Sequence, residues 1–496
     1  MKKIFLSLII LSVALTSCKK FLEEKTNGLL TPDNYYNNSQ QIRAAVNGAY
    51  LGLNSPFITT IGVAVSPVFS LEYITGYCQR PRPSGNEDNQ FIQLGGIDNA
   101  NSSLETWWTS SYYPIENCNS IIANVGNSTV VNATTRDNFL AEAYFLRAYY
   151  YFQLVRLFGS VPLKTTPTTD LNDTQLSRAP VESIYNQIVS DLTTAEKAGL
   201  NWTDKTGHVS KGAIKALLAK VYITMAGYPL NKGQEYYQKA YDEANQVIQS
   251  GQFSLFTNYA DLRNPANYNS GEHIFMIQHD ENTIPNIMHF TLMPYPELPI
   301  SIQPSYSGAM APAGSFYNSY AAGDKRVAEE NFYYTQHGQY GNPSNIIKLP
   351  MPYIYKYWND QAEISGRDGS NFPLIRYADV LLLCAEASAS LNGGTTSDPI
   401  AVASYNKVHQ RAFPTAAAAS TIALDDVLKE RYWELAFEFQ TWFDMQRTRK
   451  AFDVDNNKIV NIIGYKAPMH NRAFAETDLL WPIPLTEIQK DPNLSK

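Results

Sequence analysis

Cysteine and histidine are both scarce. Four cysteines occur in 496 residues and none of them forms a C-x-x-C pair, which excludes a disulfide framework. The seven histidines are scattered, with no H-E-x-x-H helix and no EF-hand loop. The oxygen-rich run Asn86-Glu87-Asp88-Asn89 reads as a solvated loop before it reads as a calcium site. No metal is expected, and without a P-loop or dinucleotide fingerprint no cofactor is expected either. Basic residues are outnumbered, 39 Lys and Arg against 46 Asp and Glu, and they form no block. The net charge of −7 therefore repels nucleic acid. Long apolar runs are also missing, because Ile4 to Leu15 is too short to cross a bilayer as a helix.

That short run has a purpose of its own. Lys2 and Lys3 precede it, and Leu15-Thr16-Ser17-Cys18 follows the order of a bacterial lipobox, in which cleavage before the cysteine leaves Cys18 to carry acyl chains. An ordinary signal peptide that happens to end in cysteine is the competing reading. Residues 1–17 are thus expected to be a lipoprotein signal peptide, Cys18 the lipidation site, and 18–31 a polar tether. Each buried acyl CH₂ contributes about 0.8 kcal/mol, so several chains hold a soluble domain on a membrane. Once Lys2 and Lys3 leave with the signal the charge becomes −9. Of the remaining cysteines, Cys78 and Cys118 can pair outside the cell, whereas Cys384 sits in an apolar helical run and reads as a buried thiol.

Aromatic residues make up 12% of the chain, with 33 tyrosines against 22 phenylalanines. Tyrosine suits cores, interfaces and sugar-stacking surfaces alike, so composition does not choose among them. Helical periodicity dominates elsewhere. After a Thr31-Pro32-Asp33 start signal, Ile42, Val46 and Ala49 recur at helical spacing. The segment "TTRDNFLAEAYFLRAYYYFQLVRLFG" keeps the period from a cap at Thr134 or Thr135 to a stop at Gly159. Further helices are read at 181–199, from Ser210, at 235–251, at 376–393 and at 401–412. Paired helices with tyrosine and alanine at close-packing points resemble tetratricopeptide hairpins, although the spacing between pairs is irregular. Residues 54–102 and about 253–372 lose the period. They read as long loops, "FYYTQHGQYGNPSN" among them, with short strands in "EHIFMIQHD" and "YIYKYW". The fold expected is mostly α: a tetratricopeptide-like helical hairpin scaffold with long loops and minor β pieces.

Three segments carry a family resemblance: "AEAYFLRAYYYFQLVRLFGSVPL" (141–163), "FPLIRYADVLLLCAEASASLNG" (372–393) and "LKERYWELAFEFQTWFDMQR" (428–447). With the ending "LLWPIPLTEIQKDPNL" and the lipobox, they resemble the SusD/RagB family of Bacteroidetes outer-membrane lipoproteins. The resemblance implies a single binding domain over 32–496, with an N-terminal part to about 252 and a C-terminal SusD/RagB part from about 253. It also implies a cell-surface protein that delivers nutrient to a TonB-dependent transporter of the SusC type. Relatives often carry Glu-Gly-His-Arg-Trp-Phe-Asp-Leu where this chain has Glu438-Phe439-Gln440-Thr441-Trp442-Phe443-Asp444-Met445, which implies a local packing change.

Binding a sugar chain takes flat apolar faces and convergent polar groups, and both loop regions supply them. The first offers Tyr73, Tyr77, Arg80, Arg82, Asn86 and Asn89, with Asp88 and Phe91 beside them. The second offers Tyr295, Tyr317 and Tyr320, with Tyr306, Phe316, Tyr333, Tyr334 and Tyr340 nearby. Many of these rings have the alternative use of pinning their own loops. Arg80 and Arg82 can instead fork onto a carboxylate, which leaves peptide as the second ligand class. Trp107 and Trp108 begin a helix and read as core. Glu434 and Glu438 share a helix face, as a glycosidase pair would, but an ion pair, a cap or the helix surface explains them better, so no catalysis is expected. The function read from the sequence is capture of an oligosaccharide at the outer membrane, with a peptide-binding transport lipoprotein and a surface hydrolase as alternatives.

Overall fold

In the computed structural model, helix starts follow from side-chain caps. The residues described are 35–58, 66–82, 85–170, 174–295, 299–301 and 308–495. Helix α1 (Ser39–Asn54) begins where Asn38 accepts from the Gln41 N–H, and it buries Ile42, Val46, Ala49 and Leu53. The Thr31-Pro32-Asp33 signal lies outside the described residues. Asn101 caps α2 (Ser102–Val125). Asn132, and not Thr134 or Thr135, caps α3 (Ala133–Phe158), because its extended backbone aims the amide oxygen at the Thr135 N–H. Gly159 ends α3 at φ +71°, as its place in the sequence suggested. Then come α4 (Val181–Glu196), α5 (Lys211–Ala226, capped by Ser210) and α6 (Gln234–Gln249). Later helices are α7 (Tyr377–Leu391), α8 (Pro399–Ala412, capped by Asp398), α9 (Leu424–Glu434) and α10 (Thr441–Thr448).

From α1 to α8 each helix packs against the next. The stack continues from α6 to α7 across a long excursion of the chain. Small residues set the approach: α5 is buried almost all round, with Ala213, Ala216 and Ala219 among its buried residues, while α6 buries only Ala240, Ala244 and Val247. This is the mostly α, tetratricopeptide-like scaffold that the periodicity indicated.

The excursion carries β1 (His273–Ile277), β2 (Tyr333–Gln339), β3 (Asn342–Ile354) and β4 (Phe372–Arg376). Strands β1 and β4 pair antiparallel, His273 opposite Arg376 and Ile277 opposite Phe372, and so close the base of the excursion. Strands β2 and β3 form a hairpin through Tyr340-Gly341, with Gly341 at φ +72°. Here the loop expected at 332–345 is corrected. The outer half of the hairpin is wet on both faces, so its residues show no alternation. Of "YIYKYW", only Tyr353 and Ile354 are in a strand.

Buried charge joins the excursion to the C-terminal helices. Glu434 accepts from Arg376 (3.1 Å) and Arg411 (2.7 Å), and Arg411 also reaches Glu272 (2.6 Å). Arg326 bridges Asp324 (2.8 Å) and Glu430 (2.7 Å), while Lys356 and Arg376 hold Glu438. A second network links Asp379 of α7 to Lys220 (2.6 Å) and Arg431 (2.9 Å), and Arg431 and Arg447 to Asp444. Burial alone would raise the Glu434 pKa, but Arg411, Arg376 and Arg326 bring it down to about 2. The carboxyl pair considered for glycosidic chemistry is therefore an ionic joint. Gln440, one of the departures from the family's usual run, accepts from Lys220 (3.1 Å). Cys78, Cys118 and Cys384 are all buried free thiols, so Cys78 and Cys118 are not paired.

Candidate functional site

The two aromatic loop regions lie side by side. Cys78 and Gln79 pair antiparallel with Pro312 and Ala311, and the Ala313 N–H donates to the Tyr77 carbonyl (2.8 Å). Next along, the Arg82 N–H donates to the Gly308 carbonyl (3.1 Å). Gly308 has φ +82°, and a Cβ there would lie 2.3 Å from Tyr295 Cβ and 3.3 Å from Arg82 Cβ. Glycine thus lets the Arg82 and Tyr295 segments meet.

Several expected ligand rings are inside. Tyr73 is 1% exposed and donates to the Ala309 carbonyl (2.5 Å); Tyr77 is 3% exposed and exchanges hydrogen bonds with the backbone of Phe452. Tyr320, 7% exposed, contacts the Tyr333 hydroxyl (2.9 Å) and donates to the Trp433 carbonyl (3.0 Å). None of the three offers a ring face to solvent, which corrects their place as ligand platforms. Tyr317 is half-buried, edge-on to Tyr333, and Tyr295 is half-buried with its backbone gripped by the Tyr353 hydroxyl. Trp107 and Trp108 are core residues, as expected.

What remains open is a cleft of about 830 Å³ beside the start of α2, within the ~300–1,000 Å³ usual for ligand sites. One wall is a helix face: Ser102, Thr106, Thr109 and Tyr113 follow at helical spacing. Ser55, Ile58 and Pro67 stand on another side, and Arg80 and the helix Asn86–Ile92 supply the polar end. Arg80 pairs with Asp88, and both side chains are buried. Burial lowers the Arg80 pKa. Asn86 and Glu87 are exposed, and Glu87 accepts from the Ser102 hydroxyl (2.5 Å). Thr106 and Thr109 donate their hydroxyls to carbonyls of their own helix (3.1 and 2.8 Å), which leaves oxygen lone pairs for an incoming donor. Tyr113 is 71% exposed and Ile58 53%, large apolar surfaces at the edge of a hydroxyl-lined wall.

Arg80 and Asn86 from the sequence reading line this cleft; Asn89 is half-buried on the same short helix, and Arg82 is just beyond. Tyr113 and the hydroxyl stripe were missed. Their signal was present in the sequence as hydroxyls at 102, 106 and 109 on the face of α2 opposite Leu104, Ser111 and Ile115.

Residues 305–496 match the model of the SusD family, and residues 83–223 match one described as "Starch-binding associating with outer membrane". The crystal structure of a SusD superfamily protein from Parabacteroides distasonis is 34% identical, with a TM-score of 0.86 over 94% of this chain and 98% of that one. The chain belongs to the SusD family. A curated relative, SusD-like protein P2 of Formosa agariphila, is 26% identical over all of this chain and 99% of its own. A laminarin-binding SusD-like protein shares the fold at a TM-score of 0.73 and 23% identity, over 92% of this chain and 98% of its own. In this SusD family member the hallmark segments 372–393 and 428–447 are the ones joined by buried ion pairs, so they hold the scaffold and leave the cleft to other residues.

Proposed function

We propose that this chain captures an oligosaccharide non-covalently in the cleft beside α2 and passes it to an outer-membrane transporter of the SusC type. The observation that carries the reading is the lining: a row of hydroxyls, an exposed amide at Asn86, and the exposed ring of Tyr113 at one end. Sugar hydroxyls donate to such oxygens, and a pyranose face packs on a phenol ring. The starch-binding description of the matching family model and the laminarin-binding relative support a glycan as the class. In this reading Cys18 carries the lipid anchor, residues 18–31 form the tether and 32–496 act as one binding domain at the cell surface. Signal, anchor and tether lie outside the described residues. The reading contains no catalytic step, and the engagement of Glu434 and Glu438 by arginines supports that.

The test is binding of the mature chain from Lys19 onward to a panel of soluble polysaccharides and a peptide library, each followed by a product assay. Retention of one glycan without cleavage, weakened by Tyr113→Ala, is the expected result. Binding of peptides alone would replace glycan by the second ligand class, and cleavage would overturn the non-enzymatic reading.

A further inference from the structure

A second cavity, sharing no lining residue with the cleft, lies where the ends of α3 and α5 meet the start of α4 and the length of α10. Its volume is about 220 Å³, below the range for drug-sized ligands, so it suits a small molecule and not a sugar chain. Four arginines line it: Arg156, Arg178, Arg447 and Arg449. Phe158, Tyr185, Tyr228, Phe443 and Leu480 supply apolar wall.

The arginines are not equally satisfied. Arg447 is neutralised by Glu386 and Asp444. Arg449 pairs with Glu476 through Nη2 (2.7 Å), yet its Nε and Nη1 are buried without a hydrogen-bond partner. Arg156 is buried and has no carboxylate partner among the described residues. Its guanidinium is clamped between the rings of Phe152 (3.7 Å) and Phe443 (3.6 Å) and donates to the Phe152 carbonyl and Gln153 Oε1. Asp444, whose field reaches Arg156, is already committed to Arg431 and Arg447. Burial pushes the Arg156 pKa down to about 10. Arg178 is exposed and also lacks a carboxylate among the described residues. A buried cation without a counter-ion is costly, and this one is held rigid by two rings.

The geometry points to a binding site for a small carboxylate with an apolar body, its oxygens received by Arg156, Arg178 and Arg449 and its body by the aromatic wall. Guanidinium groups grip carboxylates in a fork, and side chains already fixed by stacking lose little entropy on binding. The apolar wall favours an organic acid over a bare inorganic anion. The site is independent of the glycan cleft.

Calorimetric titration of the mature chain tests it with three probes: benzoate, its neutral counterpart benzamide, and inorganic phosphate. Saturable benzoate binding is expected, with benzamide and phosphate each at least tenfold weaker. Arg178→Gln, at an exposed position, and Arg449→Gln, at a partly buried one, should each weaken benzoate about tenfold while glycan retention stays unchanged. No saturable benzoate binding, or equal binding of benzamide, would overturn the proposal. So would phosphate binding as tightly as benzoate, or benzoate binding that neither substitution affects.

Discussion

Glu434→Gln removes one negative charge from a joint where Arg376, Arg411 and Arg326 converge. Removing one partner of a buried ion pair costs about 3–5 kcal/mol. Proton linkage leads to a similar size by a separate route. The folded pKa is about 2 against 4.5 ordinarily, and at ~1.36 kcal/mol per pKa unit the difference is worth about 3 kcal/mol. Because the folded pKa is depressed, this contribution is complete above about pH 4.5 and is lost as the pH falls through about 2; at pH 3 about 1 kcal/mol should remain. The assay is the denaturant midpoint of both proteins at pH 7 and at pH 3. The wild type should be more stable at pH 7 by about 3–4 kcal/mol, and the gap should shrink by more than half at pH 3 with unchanged denaturant slopes. An equal gap at both pH values would refute the ionic-joint argument, because it would mean that shape and not charge holds the site.

Tyr113→Ala should weaken glycan binding by about 0.5–1.5 kcal/mol without moving the melting temperature, since the ring stands in solvent. Tyr73→Phe should do the reverse, costing about 1 kcal/mol of stability through the lost bond to Ala309 while binding is unchanged. Gly308→Ala should destabilise by about 1–3 kcal/mol and weaken glycan binding, because a Cβ at φ +82° collides with Tyr295; a neutral result in a thermal melt would show that the two loops need not meet. Burial raises the Glu72 pKa to about 8, so the native state holds its proton more tightly than the unfolded chain and stability should fall as the pH rises from about 4.5 to 8. Glu72→Gln should therefore raise the melting temperature more at pH 9 than at pH 5, and an equal effect at both would contradict the buried-carboxyl account.

The helical stack was legible because its signals are local. A cap such as Ser210, the apolar period from Ile214 to Met225 and the stop at Gly159 lie within a few residues of what they determine. The hairpin Tyr333–Ile354 was not legible, because alternation marks a strand only when one face is buried, and Asn342 to Ile346 face water on both sides. The cleft was half legible. Arg80 and Asn86 announced themselves by chemistry, whereas Thr106, Thr109 and Tyr113 lie on a helix whose other face holds Trp107 and Trp108 in the core, and those indoles dominate a linear reading.

The tyrosines explain why the ligand rings were misplaced. A helix satisfies its own carbonyls, but a long irregular segment buried in a core cannot, and each unpaired carbonyl is costly. Tyrosine brings a donor into an apolar interior on a rigid ring. Tyr73 serves Ala309, Tyr77 serves Phe452, Tyr320 serves Trp433, Tyr357 serves Phe437 and Tyr150 serves Ala49. In each pair the hydroxyl crosses from one element to a carbonyl far along the chain: Ala309 and Phe437 lie outside helix and strand, Phe452 is in a paired strand, and Ala49 and Trp433 are in helices. Buried tyrosine hydroxyls thus tie segments far apart in the chain to one another. A ring whose hydroxyl is spent this way is held in the core and withheld from the ligand, so the rings available to a glycan are the few, such as Tyr113, that the fold leaves exposed.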